Sequence, residues 1–110
     1  MEDEYYPLIS ATQKFPVGKV VATATFVDRL NNMGVEPSII VMENLRRHQQ
    51  GDWGDCGKED ADTNDRALNT DGRLMSVYHV KGADGEQTEK IWVITEWDRS
   101  VTTFLLPEDY

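Results

Sequence analysis

A single cysteine, Cys56, stands in a chain of 110 residues. That excludes an intramolecular disulfide and the stapled scaffolds of small secreted domains. Apolar runs are short, and none approaches the roughly 18 residues that a membrane-spanning helix needs. The opening MEDEYYPL is acidic where a secretory leader would be basic and then apolar. The expectation is a cytoplasmic protein with no membrane association. Basic residues are scarce too: 11 Lys and Arg against 20 Asp and Glu give a net charge of −9. Such a charge repels nucleic acid and anionic lipid at long range and makes nucleic acid a poor candidate partner.

What is present suits one domain. The 39% hydrophobic content lets a chain of this size bury roughly 60 to 70% of its unfolded surface. Residues 1 to 16 are expected to form an N-terminal arm and residues 17 to 110 a single α+β domain. The acid is concentrated. Residues 51 to 72 carry seven acids and two bases, whereas residues 23 to 50 carry three of each. A solvated face accounts for this most simply, and a basic protein partner is the sharper alternative.

VGKVVAT, 17 to 23, reads as a strand because its valines are β-branched. TFVDRLNNMG follows as a short helix, with Thr25 as the expected N-cap, Phe26, Leu30 and Met33 at helical spacing, and Gly34 as the stop. After Pro37, Ser38 is expected to cap a second helix through about Gln49, with Val41, Met42, Leu45 and His48 on one stripe. Glycines 51, 54 and 57 end that helix. KEDADTNDRALN then makes a third, on the surface with Ala61 and Leu68 inward, closed near Gly72. RLMSVYHV, IWVITEW and VTTFLLP read as three strands joined by the GADGEQ loop and a tight turn at Asp98, Arg99 and Ser100. The order β-α-α-α-β-β-β implies about three short helices packed on one face of a mainly antiparallel four-stranded sheet.

The alternation fixes the last hairpin. Pairing Glu96 with Val101 sets Ile94 opposite Thr103 and Trp92 opposite Leu105. Ile91, Val93, Thr95, Thr102, Phe104 and Leu106 then share the face that the helices should cover. The other face carries Trp92, Ile94, Val101, Thr103 and Leu105, nearly as apolar as the first, where an ordinary two-layer fold would be polar. That face is a candidate binding surface, for self-association into a homo-oligomer or for another protein. Alternatively the arm, with Tyr5, Tyr6, Leu8 and Ile9, folds over it.

RRHQQGDWGDCGKED, 46 to 60, is the stretch richest in chemistry-bearing residues. Its structural explanation is a histidine packed at the core rim, Asp52 and Asp55 forming Asx turns or capping the third helix, and Trp53 plugging the corner; Asp98 similarly serves its hairpin turn. Zinc on His48, Asp52 and Cys56 would need a helix that the glycines break, so neither metal nor cofactor is expected. A Cys56 thiolate activated by His48 or His79 lacks an identifiable oxyanion hole. Acid-base cleavage of RNA by His48 and Glu96, with Arg73 and Arg99 on phosphate, is the enzymatic alternative. Helices followed by an antiparallel sheet are similar in architecture to small ribonucleases of the barnase and colicin-toxin type, which does not carry function.

RHQQGDWGD at 47 to 55, RLMSVY, and IWVITEWDRSVTTFLLPEDY from Ile91 to Tyr110 resemble, in the same order, blocks of a family of small uncharacterised proteins carried by plasmids, integrative elements and gene cassettes. The resemblance covers about residues 18 to 110. It departs from the family pattern at Cys56, at Trp97 and in the longer GADGEQ loop. His48, Trp53, Arg73, Glu96, Asp98, Arg99, Thr102 and Thr103 match the blocks. The resemblance implies a mobile-element accessory protein, with interference in a defence system as a role in keeping with such genes; it supplies no catalytic residue. The favoured expectation is a non-enzymatic protein-binding module, the alternative a small toxin-like ribonuclease.

Overall fold

The computed structural model describes residues 13 to 110, so the arm residues Tyr5, Tyr6, Leu8 and Ile9 lie outside the described part. Its elements are β1 (Lys19–Ala22), α1 (Ala24–Asn32), α2 (Pro37–Gln49), α3 (Lys58–Ala67), β2 (Leu74–Lys81), β3 (Thr88–Thr95), β4 (Val101–Leu105) and a closing 3-10 turn at Pro107–Asp109. The order β-α-α-α-β-β-β and the α+β class are as the sequence implies. In space the strands run β1-β4-β3-β2. β2, β3 and β4 are antiparallel neighbours, and β1 lies parallel to β4.

The hairpin register is the one that the alternation dictates, with Trp92 opposite Leu105 and Ile94 opposite Thr103. Phe26, Leu30 and Met33 of α1 pack on Tyr78, Val80, Ile91, Val93, Phe104 and Leu106, which form the main core with Val41 and Leu45 of α2 at its margin. A second, smaller cluster gathers Phe15, Trp53, Ala67 and Leu74, with Ala61 and Leu68 of α3 against it.

Three local expectations are corrected. The N-cap of α1 is Thr23, whose hydroxyl accepts from the Phe26 N–H. Thr25 instead donates to the Asp109 carboxylate at 2.5 Å, and Thr23 donates to its other oxygen at 2.7 Å. Helix α2 begins at Pro37 with Glu36 as its cap residue, and Ser38 lies inside the first turn; a proline at the first helical position has no N–H to leave unpaired. Met42 is not on the buried stripe: it is 66% exposed, one 100° step round the helix from Val41.

The first half of the free edge of β2, at Met75 and Val77, is covered from two directions. The loop after α2 runs beside it as a one-residue parallel bridge, Gly54 to Val77, with Val77 N–H donating to Trp53 C=O and Asp55 N–H to Val77 C=O at 3.0 and 2.7 Å. Asn64 of α3 completes the cover, its amide giving 2.7 Å to Met75 C=O and taking 3.2 Å from Met75 N–H. Gly54 has φ +74°, and a Cβ there would lie 2.0 Å from the Val77 carbonyl oxygen. No other residue fits.

Candidate functional site

His48 sits at the junction of the two clusters, with none of its surface exposed. Its Nδ1 is 2.5 Å from Ser76 Oγ and its Nε2 is 2.9 Å from Thr95 Oγ1; Thr95 and Thr102 hydroxyls are 2.6 Å apart, and Thr102 donates to Val17 C=O at 2.8 Å. The carbonyl can only accept, which orients the whole line: Thr102 donates to Val17, Thr95 to Thr102, the Nε2–H of His48 to Thr95, and Ser76 to the bare Nδ1. Each polar atom in the line has its partner. Phe15 meets the imidazole edge-on at 5.1 Å and Trp53 at 5.7 Å. Burial, with the charge of Arg99 adding to it, lowers the His48 pKa to about 3, so the ring is neutral at neutral pH.

The surrounding loop is built on the same economy. Asp52 accepts the Gly54 N–H at 3.1 Å, the Asx turn that its position among glycines calls for, and holds Arg47 Nε at 2.7 Å. That ion pair and the backbone bond keep the Asp52 carboxyl below its usual range. Arg47 lies 4.3 Å above the Tyr78 ring, whose hydroxyl donates to Asp52 C=O at 2.6 Å. Trp53 is buried, and its indole N–H reaches Asp65 at 2.9 Å. Asp55 does not cap α3, where Gly57 is the cap residue without a side-chain bond; it pairs with His79 Nε2 at 2.8 Å. Between these groups lies an open polar pocket of about 360 Å³.

The remaining candidates make no hydrogen bond to His48. Arg99, with φ +61°, turns its guanidinium onto the carbonyls of Gly72, Ala67, Glu96 and Trp97 at 2.6 to 3.3 Å. Arg73 donates to the Tyr110 hydroxyl and lies over its ring. Glu96 is half-buried, its backbone N–H pairing with Val101 C=O. Asp98 accepts from the N–H and hydroxyl of Ser100, the turn expected of it, and those two bonds hold its carboxyl below the usual range. Partial burial raises the Cys56 thiol, the opposite of what a nucleophile needs. His48 is therefore bonded to neither Glu96 nor either arginine, and its two ring nitrogens bond to hydroxyls. Among the described residues no three His, Cys, Asp or Glu side chains gather as a metal site, and no helix is long and apolar enough to cross a membrane.

The outer sheet face also differs from expectation. Ile94 and Leu105 are 4% and 6% exposed, and Trp92, Val101 and Thr103 are half-buried. Tyr110 stands edge-on to Trp92 at 5.5 Å. Tyr110 itself is 68% exposed, so the aromatic surface at this face is carried by that ring more than by Ile94 or Leu105. Large apolar side chains are exposed in two places: Ile39 at 53% and Met42 at 66% on α2, and Trp97 at 59% and Tyr110 at 68% near the last hairpin and the chain's last residue. Beside the α2 pair, β1, α1 and α2 frame a groove of about 330 Å³ lined by Val20, Ala22, Val27, Pro37 and Val41 among others. The sequence signal for it was slender: PSIIVM opens α2 with apolar residues on more than one side, more than a single buried stripe requires. No protein-family model, curated protein or solved structure matches the chain.

Proposed function

We propose that this chain is a non-enzymatic protein-binding module that associates with itself, a cytoplasmic accessory protein of the mobile-element family whose blocks it resembles. The observation that carries the reading is the apolar patch of Ile39 and Met42 beside the groove, on a molecule that otherwise uses its polar side chains internally. Exposed apolar side chains that adjoin an apolar groove, unlike ones scattered singly, are the kind of surface that binding buries. The ribonuclease alternative has the weaker support, because its histidine is sealed and neutral and its two arginines are committed to carbonyls and to Tyr110. A basic protein partner for the acidic 51 to 72 stretch is a secondary possibility that several internal bonds reduce: Asp52, Asp62 and Asp65 already hold Arg47, Lys58 and the Trp53 indole.

Light scattering over a concentration series tests the reading. Wild type rises toward twice its 12.5 kDa mass, and Met42→Glu stays at the single mass. RNA cleavage that His48→Ala abolishes, while the variant keeps its circular dichroism, would overturn it.

A further inference from the structure

The two long edges of the sheet differ in a way that points to how a second copy would dock. The β2 edge is covered at Val77 by the Gly54 bridge and at Met75 by Asn64. On β1 the Lys19 N–H donates to Ser100 C=O and the Thr23 N–H to Phe104 C=O, so residues 19, 21 and 23 face β4. Val20 and Ala22 turn their N–H and C=O groups to the other side. Among the described residues nothing pairs with them, and this edge borders the apolar groove.

We propose that β1 pairs antiparallel with β1 of a second copy, joining two sheets into one of eight strands, an inference that rests on the self-association reading above. The strand itself selects the register. Pairing Val20 with the partner's Ala22, and Ala22 with the partner's Val20, uses all outward groups of the strand in four hydrogen bonds. A shift in one direction would require Gly18, which is at φ +63° and not extended; a shift in the other would require Ala24, already the first residue of α1. The selected register is two-fold symmetric about Val21, as a closed dimer demands.

Charge supports the same occupant. The register brings exposed Lys19 opposite the partner's Thr23, whose hydroxyl is bonded to the Asp109 carboxylate. Each copy thus offers an ammonium to the other's carboxylate at both ends of the ribbon, which partly offsets the repulsion between two chains of net charge −9. The inward-facing Val20 and Ala22 lie on the groove side, so the same two-fold closes the two grooves and their Met42 side chains against each other. Because the two-fold pairing uses β1 of both copies, and β2 is blocked at Met75 and Val77, growth stops at two copies instead of continuing as a filament.

Cross-linking tests this directly. Val21 faces its symmetry mate as a non-hydrogen-bonded pair, where Cα atoms are about 4.5 Å apart, within disulfide range. In the full chain with Cys56→Ser, Val21→Cys forms an interchain disulfide under mild oxidation. Lys19→Cys does not, since that position lies about 14 Å from its own mate. Ala22→Pro, which removes an outward N–H that β4 does not use, raises the dimer midpoint concentration by roughly tenfold or more; its melting profile confirms that it folds. Val21→Cys chains that stay unlinked while wild type doubles its mass would sink the β1 pairing and leave self-association standing. Wild type at single mass throughout would sink both.

Discussion

The β2 edge of the sheet and the β1 edge have received opposite treatment. At β2 a glycine loop with a tryptophan carbonyl and an asparagine amide satisfies the outward backbone groups of Met75 and Val77, and that loop also carries the tryptophan packed on His48. At β1 nothing comparable is found among the described residues, and apolar side chains flank the strand. Exposed strand edges are normally shortened, charged or covered. One edge blocked and the other open is the arrangement expected of a protein that pairs once.

The contrast can be broken most severely at the covered edge. Gly54→Val forces a Cβ into the Val77 carbonyl and the Tyr78 ring at a positive φ, and a loss of about 4 kcal/mol or more is expected in urea unfolding, enough to leave the chain largely unfolded. Next comes the histidine beneath that loop. His48→Ala removes a buried ring, orphans the Ser76 hydroxyl and takes the donor to Thr95 away, with an expected cost of about 3 kcal/mol. The same residue predicts a pH dependence. Its native pKa of about 3 lies below the ordinary 6.5, so the unfolded chain binds the extra proton first. Stability conferred by the neutral ring is complete above pH 6.5 and falls by up to about 1.4 kcal/mol per unit below it. The depressed carboxyls, such as Asp52, add to this loss only near and below their usual range around pH 4. Between pH 6.5 and 4.5 the slope is therefore due to His48, and urea titrations of His48→Ala should lack it. Smallest of the three, Asn64→Ala strips two bonds from Met75 and should cost about 1 to 2 kcal/mol. If it also creates species larger than dimers in sedimentation velocity, the cover on this edge is what limits assembly.

Much of the fold could be read from sequence because it rests on local periodicities. The β3-β4 register follows from strict alternation around a tight turn, and the His48 position follows from its spacing behind Val41 and Leu45. The Asx turn at Asp52 and the Asp98 turn are likewise local chemistry. What escaped was decided at long range. Thr23 and Thr25 are equivalent to a reader of helix caps until Asp109, from the other end of the chain, claims both hydroxyls. Asp55 looked like a cap because its partner, His79, is on a strand that sequence cannot place beside it. Nor does alternation reveal how far each of two apolar sheet faces is covered, or that α2 leaves Ile39 and Met42 exposed. Arg73 and Arg99 suggested phosphate contacts by composition, whereas their positions give them to Tyr110 and to backbone carbonyls.

Arg99 ties together parts of the molecule that differ in their own durability. From the turn between β3 and β4 it reaches the carbonyls of Ala67 and Gly72, at and beyond the end of α3. That helix is short and polar, and on its own would fray within microseconds. With its last turn fastened to the hairpin, its amides should exchange with deuterium no faster than the ribbon opens, and the two would come apart as one cooperative unit.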